Sequence, residues 1–237
     1  RRSEAGVTLE LADGSSHSGA LVVGADGANS WVRQQAGIGT TGWSYEQTAV
    51  VATIRTARHH NGIAYQRFMP EGPLAFLPLP GGYSSIFWST APEHAAALVA
   101  LDEDAFLAEL QTAFGDKLGA MESVGPRGAF PLILRHAKRY CEERLVLVGN
   151  AAHAIHPLAG QGLNLGVSDI AVLAEVLLKA RKEKQDIGEL AVLRRYERWR
   201  KGHNLLVMAT MDGLQKLFGQ TVAPVRALRG LGLTITD

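Results

Sequence analysis

The chain has 237 residues, 46% of them hydrophobic and 20% charged, with a formal net charge of +1. That length is enough for one large or two smaller cores, and the near-neutral balance provides no global field for binding nucleic acid. A single cysteine, Cys141, excludes an internal disulfide and a cysteine-rich metal site and is consistent with a reducing cytoplasm. The sequence holds no secretory-signal pattern and no apolar run of membrane-spanning length.

In chain order, Val7, Leu9 and Leu11 alternate with polar residues, Asp13-Gly14 marks a turn, and Ala20 to Val23 read as a second strand. A hairpin therefore feeds Gly24-Ala25-Asp26-Gly27, which is followed by Asn29-Ser30 and an amphipathic start, Trp31-Val32-Arg33. Glycines on both sides of Asp26 allow a sharp turn close to a ligand, and the carboxylate can accept hydrogen bonds from hydroxyls or pair with a cation. On local grounds alone Asp26 reads as a helix N-cap or turn residue, and Arg33 as a solvated side chain.

From about Thr41 to Arg135 the texture changes. Thr48 to Ile54, Ala64 to Phe68, Leu74 to Pro78 and Tyr83 to Thr90 are short β-prone runs separated by Gly/Pro/His clusters. Their spacing predicts an antiparallel meander, one wall of a pocket, with Phe68, Phe76, Phe87 and Trp88 supplying apolar surface. The commoner fate of such aromatics is the core. Leu101 to Phe114, with Asp102 as its cap, predicts a helix over the sheet. Gly128 to Leu132 then runs back towards the central motif.

That motif, Arg144 to Gly166, reads R-L-V-L-V-G-N-A-A-H-A-I-H-P-L-A-G-Q-G-L-N-L-G. Leu145 to Val148 suit a strand buried on both faces, ended by Gly149. Pro157, Gly160, Gln161 and Gly162 form a loop, and Leu163 to Leu178 continue in helix-forming or apolar residues. A glycine-flanked helix start leaves backbone N–H groups unpaired, a seat for an anionic or electron-rich ligand. Taken alone, a G-x-G turn is only a loop. His153 and His156 have a metal-like spacing, but Pro157 pushes His156 out of helical geometry and no carboxylate or cysteine nearby completes a site. No metal is assigned, and the two histidines are read as packing and hydrogen-bonding beneath a ligand. Lys179 to Lys184 form a charged helix end. A long helix is predicted from Glu189 to Phe218, with Leu193, Tyr196, His203, Val207, Met211, Leu214 and Phe218 as its apolar stripe. Beyond Pro224, Val225, Leu228, Leu231 and Leu233 with Arg226 and Arg229 make a short basic segment suited to an anionic membrane surface.

Leu21 to Arg33 and the H-P-L-A-G-Q-G-L-N-L-G stretch, in this order and at this separation, resemble the two later fingerprints of the single-component flavoprotein aromatic hydroxylases, the para-hydroxybenzoate hydroxylase family. Within the family they are most similar to the ubiquinone-biosynthesis branch. The resemblance implies an α/β (α+β) fold: part of a Rossmann-like FAD-binding domain, an inserted antiparallel-sheet substrate domain and a C-terminal helical region. The expected division is residues 1–40 and 136–183 for the FAD-binding domain, 41–135 for the substrate domain and 184–237 for the C-terminal helices. It further implies FAD contacts from Gly24, Asp26, Gly27, Arg33, Gly149, Asn150, Pro157, Gly160, Gln161, Gly162, Leu163 and Asn164. Asp26 is expected near the pyrophosphate and ribityl region, Arg33 is expected to order the motif or the nicotinamide cofactor, and backbone donors at 160–163 are expected near the pyrimidine ring.

One residue departs from the pattern: Asn150 stands where the family usually has aspartate. Asparagine keeps an acceptor and adds a donor, so a ribityl hydroxyl can still be satisfied. The same asparagine occurs in the branch resembling 2-polyprenyl-6-methoxyphenol hydroxylase. The implied activity is FAD-dependent monooxygenation of a polyprenylphenol with NAD(P)H and dioxygen, on the cytoplasmic face of the membrane, beside other ubiquinone-biosynthesis proteins and without nucleic acid. A phenol activates its own ring, so no catalytic acid or base is assigned. A flavin-dependent hydroxylase or epoxidase of another aromatic or alkene, and a non-catalytic scaffold, stay open. Family members begin with a strand, a G-x-G-x-x-G turn and a helix, which are absent here. The resemblance therefore implies a C-terminal fragment, inactive alone and weak in FAD binding.

Overall fold

The computed structural model describes residues 2–3, 6–155 and 161–219. His156, Pro157, Gly160 and the basic segment around Arg226 and Arg229 lie outside the described residues. The chain forms two compact units, one combining Arg1–Trp43 with Ile133–Gly213, the other built on Ser44–Leu132.

The first unit opens with β1 (Arg2–Ser3), β2 (Gly6–Glu10) and β3 (Ser16–Gly19), an antiparallel sheet in that order. The expected partner strand at Ala20 to Val23 is displaced: β2 pairs with Ser16–Gly19, Val7 lying opposite Gly19 and Glu10 opposite Ser16. The polar S-H-S-G run carries no strand pattern of its own. Its register comes from the turn, in which the Leu11 amide donates to Ser15 O at 2.8 Å and the Gly14 amide to Leu11 O at 3.0 Å. The apolar run that follows goes instead to β4 (Val22–Gly24). Ser30 Oγ accepts from the Arg33 amide at 2.9 Å and caps α1 (Trp31–Gln35).

Strand β5 (Thr40–Thr56) leads on into the second unit. Val50, Ala52 and Ile54 are buried in alternation, the period-2 signature of one face of a sheet. Next come β6 (Tyr65–Met69), β7 (Gly72–Pro78) and β8 (Tyr83–Thr90), consecutive antiparallel neighbours. The meander is therefore real for these three, while β5 joins beside β8, with Thr48 opposite Thr90 and Arg55 opposite Tyr83. α2 (Pro92–Ala100), which the sequence reading missed, starts on a proline suited to a first helical turn. α3 (Glu103–Phe114) is capped by Asp102, whose Oδ1 accepts from the Ala105 amide at 2.8 Å. Phe106, Leu110 and Phe114 recur every four residues on its buried face. The Phe114 ring lies 4.1 Å from Phe76, and Phe106 lies 6.5 Å from Trp88. Phe76 and Trp88 thus belong to the core, whereas Phe68 is exposed. β9 (Met121–Val124) pairs with β5.

β10 (Gly128–Ala137) returns to the first unit, followed by β11 (Cys141–Glu142), β12 (Leu145–Leu147) and β13 (His153–Ala154). β12 is the centre of a three-stranded sheet, antiparallel to β11 and parallel to β4, and all three of its residues are buried. α4 (Gln161–Lys182) packs Leu173, Val176 and Ala180 into the same core, and α5 (Leu190–Gly219) adds Val192, Leu193 and Tyr196. Tyr196 Oη donates to Leu147 O at 2.9 Å, tying α5 to the central strand. The long helix stands where it was expected, and Leu193 and Tyr196 of its stripe are buried. Beyond them the buried face departs from the stripe: His203 is exposed, Arg200, Asn204 and Met208 are buried, and the side chains of Leu214 and Phe218 lie outside the described residues. Buried polar partners, described below, account for this departure.

Candidate functional site

Parallel pairing builds the site. Val22 lies opposite Leu145, Val23 opposite Val146 and Gly24 opposite Leu147, so both strands release their loops at the same edge of the sheet. The Val148 amide continues the ladder to Gly24 O at 3.0 Å. The carboxyl ends of neighbouring parallel strands are where open α/β sheets bind ligands. Ala25–Gly27 and Gly149–Asn150, more than a hundred residues apart in sequence, become adjacent.

These loops and one face of α4 enclose a cleft of about 480 Å³. Ala25, Gly27, Gly149, Asn150 and Gly162 line it together with Leu163, Val167 and Ile170. The last three are 78%, 56% and 57% exposed and follow i, i+4, i+7 spacing, so α4 presents an apolar stripe to the cleft. Gly149 adopts a φ of +57°, opening a tight 3₁₀ turn over Gly149–Ala151, and a side-chain carbon at Gly166 would sit 3.4 Å from its Cα. Small residues at both positions let helix and turn approach. At Gly162 the opposite holds, because an added Cβ would meet nothing within 4 Å. The first turn of α4 contains no acidic residue, so no side-chain charge there opposes the positive end of the helix dipole.

The remaining expected residues fall into distinct places. Gly24 ends β4, buried against Leu147 and Val32, where a Cβ would be 2.8 Å from Leu147 Cδ2. Asp26 is exposed and outside the cleft lining, and its Oδ2 accepts from the Val32 amide at 3.0 Å. Partial burial opposes its ionisation, but hydrogen bonds from Ser30 and the Val32 amide outweigh this and hold its pKa below the usual carboxylate range. Asp26 thus serves a first-turn amide of α1, while the N-cap position itself is held by Ser30. Arg33 is buried, not solvated. Its Nη1 donates to Ala151 O at 2.8 Å and its Nη2 to Ala28 O at 2.9 Å, bridging the loop after β4 to the turn after β12. Arg135 Nη1 reinforces the first loop through Ala28 O at 2.6 Å and Asn29 Oδ1 at 3.1 Å. Gln161 opens α4, and Asn164 is exposed on it. Cys141 is buried, and its thiol pKa is pushed up to about 12 by burial and by Glu197, which makes it inert as a nucleophile.

Sequence reasoning missed the polar core behind the cleft. Asp169, fully buried on α4, receives hydrogen bonds on both oxygens: Oδ2 from the Gly149 amide at 3.0 Å and His153 Nε2 at 2.6 Å, Oδ1 from Arg200 Nε at 2.7 Å and Asn204 Nδ2 at 3.1 Å. Burial works against its charge, but these donors hold its pKa below the ordinary carboxylate value. Asn204 also reaches Tyr140 Oη at 3.3 Å, which pairs with His136 Nε2 at 3.1 Å. Because an ionised carboxylate only accepts, His153 Nε2 is the donor in that pair, and Nδ1 is buried without a hydrogen-bond partner. A signal was present: Asp169 is the only acidic residue from Leu163 to Ala174. Among the described residues no group of histidine, cysteine and acidic side chains could hold a metal ion.

The model of an FAD binding domain matches residues 3–209. Ubiquinone hydroxylase UbiL of Rhodospirillum rubrum is 47% identical, over 98% of this chain and 54% of its own length. The mitochondrial ubiquinone biosynthesis monooxygenase COQ6 of Xenopus tropicalis is 39% identical, over 98% of this chain and 57% of its own. Among solved structures, aklavinone-11 hydroxylase in ternary complex with FAD and aklavinone superposes with a TM-score of 0.72 at 26% identity, over 88% of this chain and 40% of that one. The chain spans about half the length of the curated relatives it matches. The matched residues take in both strand-end loops and all of α4, and the chain belongs to the FAD binding domain family.

Proposed function

We propose that this chain supplies the later part of the FAD site of a monooxygenase that hydroxylates a polyprenylphenol in ubiquinone biosynthesis, using NADPH or NADH and dioxygen. The observation that carries the reading is the cleft on which Ala25, Gly27, Gly149, Asn150 and the α4 stripe converge. Its lining suits a flavin: close backbone for a polar chain, helix amides for developing negative charge, and Leu163, Val167 and Ile170 for a flat ring. Bound FAD would supply the redox chemistry, accepting two electrons from the nicotinamide and activating dioxygen.

The chain's own residues have the remaining tasks. Asn150 offers a donor and an acceptor to a hydroxyl, amides at the start of α4 favour negative charge, and the apolar stripe excludes water. Arg33 holds the two loops in mutual register. The substrate class rests on the names of the relatives, a ubiquinone hydroxylase and a ubiquinone biosynthesis monooxygenase. Polyprenylphenols partition into bilayers, and among the described residues no helix is long and apolar enough to cross a membrane. The proposed location is therefore peripheral, on the cytoplasmic face, where other ubiquinone-biosynthesis proteins could pass substrate on.

Gly162→Val tests the cofactor reading. The open space at Gly162 lets the fold accept the side chain, while the cleft loses room where a ligand approaches the backbone. In the intact protein, FAD affinity measured by flavin-fluorescence titration should fall about tenfold or more, equivalent to about 1.4 kcal/mol, with an unchanged melting temperature. Undiminished FAD affinity would remove α4 from the cofactor site. Substrate class is tested by restoring ubiquinone to cells lacking such a hydroxylase; a flavin-loaded protein that does not restore it points to a different aromatic or alkene.

A further inference from the structure

Four donors converge on one carboxylate in the first unit, and only one of them belongs to the cleft wall. Asp169 Oδ2 holds the Gly149 amide at 3.0 Å, while His153, Arg200 and Asn204 occupy the rest of its accepting capacity at 2.6–3.1 Å. Arg200 is itself held to Asn204 Oδ1 at 2.7 Å, so the group opposite the carboxylate is oriented too. With both oxygens engaged in a region closed to water, the carboxylate cannot rotate without breaking a charge-assisted bond. The residue after Gly149 is Asn150, exposed and lining the cleft, with no contact to Asp169 among its hydrogen bonds.

We propose that Asp169 is a positioning residue for the cofactor: by gripping the Gly149 amide it sets the 3₁₀ turn that presents Asn150 to the cleft, with Arg200, Asn204 and His153 keeping the carboxylate in that orientation. The proposal rests on the FAD reading above. It assigns to a buried acid on α4 an effect on ligand affinity exerted through a backbone turn. A residue that merely joined α4 to α5 would affect stability without singling out Asn150.

The test is a double-mutant cycle in the intact protein, read as the FAD dissociation constant by fluorescence titration. Asp169→Asn should weaken FAD by about tenfold or more, the scale of a lost charge-assisted hydrogen bond. Asn150→Ala should weaken it in the wild-type background and cost little further when Asp169 is already asparagine. Leu173→Ala, a buried truncation on the same helix outside the network, should lower the melting temperature and leave the dissociation constant within about twofold, since sites without shared partners act independently. If Asp169→Asn does not fold, the pair Asp169→Asn with Arg200→Gln removes both charges together and should show the same loss. Wild-type affinity in a folded Asp169→Asn protein overturns the proposal alone. So do effects of Asp169→Asn and Asn150→Ala that multiply in full, or a loss in Leu173→Ala as large as in Asp169→Asn. Absence of FAD binding by the wild-type protein overturns the FAD reading and the proposal together.

Discussion

The two units solve the problem of a core in different ways. In the second, Val50, Ile54, Phe76, Trp88, Phe106 and Leu110 fill the interior, and among the described residues its buried polar groups are hydroxyls and one imidazole, Thr56, Ser84, Ser89, Thr90 and His60. In the first, Arg33, Arg144, Asp169 and Arg200 are buried in addition to an apolar cluster around β12. Hydrophobic packing is set mainly by volume and tolerates exchange of similar shapes. A buried carboxylate among fixed donors is set by geometry and charge, and removing one partner leaves another unpaired. The unit with the demanding core is the one that holds the cleft, and two of its buried ions, Arg33 and Asp169, bind backbone of the loop or turn at the cleft wall.

The sharpest way to break this comparison is a pair of substitutions that hardly change volume. Asp169→Asn should destabilise the first unit by about 3–5 kcal/mol, because Arg200 keeps its buried charge without a counter-ion. Urea unfolding monitored in that unit measures it, and a cost near zero would mean that water or rearrangement satisfies Arg200.

An intermediate effect is expected from pH. Burial, then the positive charges of Lys201 and His153, lower the His136 pKa from 6.5 to about 4 in the folded protein. The unfolded chain therefore binds more protons between these values, and stability should fall as pH drops from about 6.5 to about 4. His136→Gln should flatten the slope in this window; an unchanged slope would assign it to other groups. Asp169 acts with the same sign at more acid pH, its contribution being present above the ordinary aspartate value and lost as pH falls through its depressed folded one.

The smallest effect belongs to the second unit. Leu110→Met, at a fully buried position on α3, should cost less than about 1.5 kcal/mol. A cost matching that of Asp169→Asn would erase the distinction between the two cores.

Local signals carried much of this molecule. β8 occupies the expected Tyr83–Thr90 run, α3 begins after its Asp102 cap, and α5 spans almost the expected range, because alternation, capping and helical periodicity are written within a few neighbouring residues. The glycine-bounded turns after Val23 and Val148 were likewise legible, and Gly27 and Gly149 adopt the positive φ that such turns require. The sequence could not specify that β4 and β12 pair in parallel, an arrangement that depends on strands more than a hundred residues apart and brings the two loops to one cleft. Nor could periodicity show that α5 turns Arg200 and Asn204 inward. That choice follows from Asp169, whose buried charge needs donors from another helix, so beyond Tyr196 the face that packs was decided by electrostatic compensation in three dimensions, while Leu193 and Tyr196 keep to the apolar stripe.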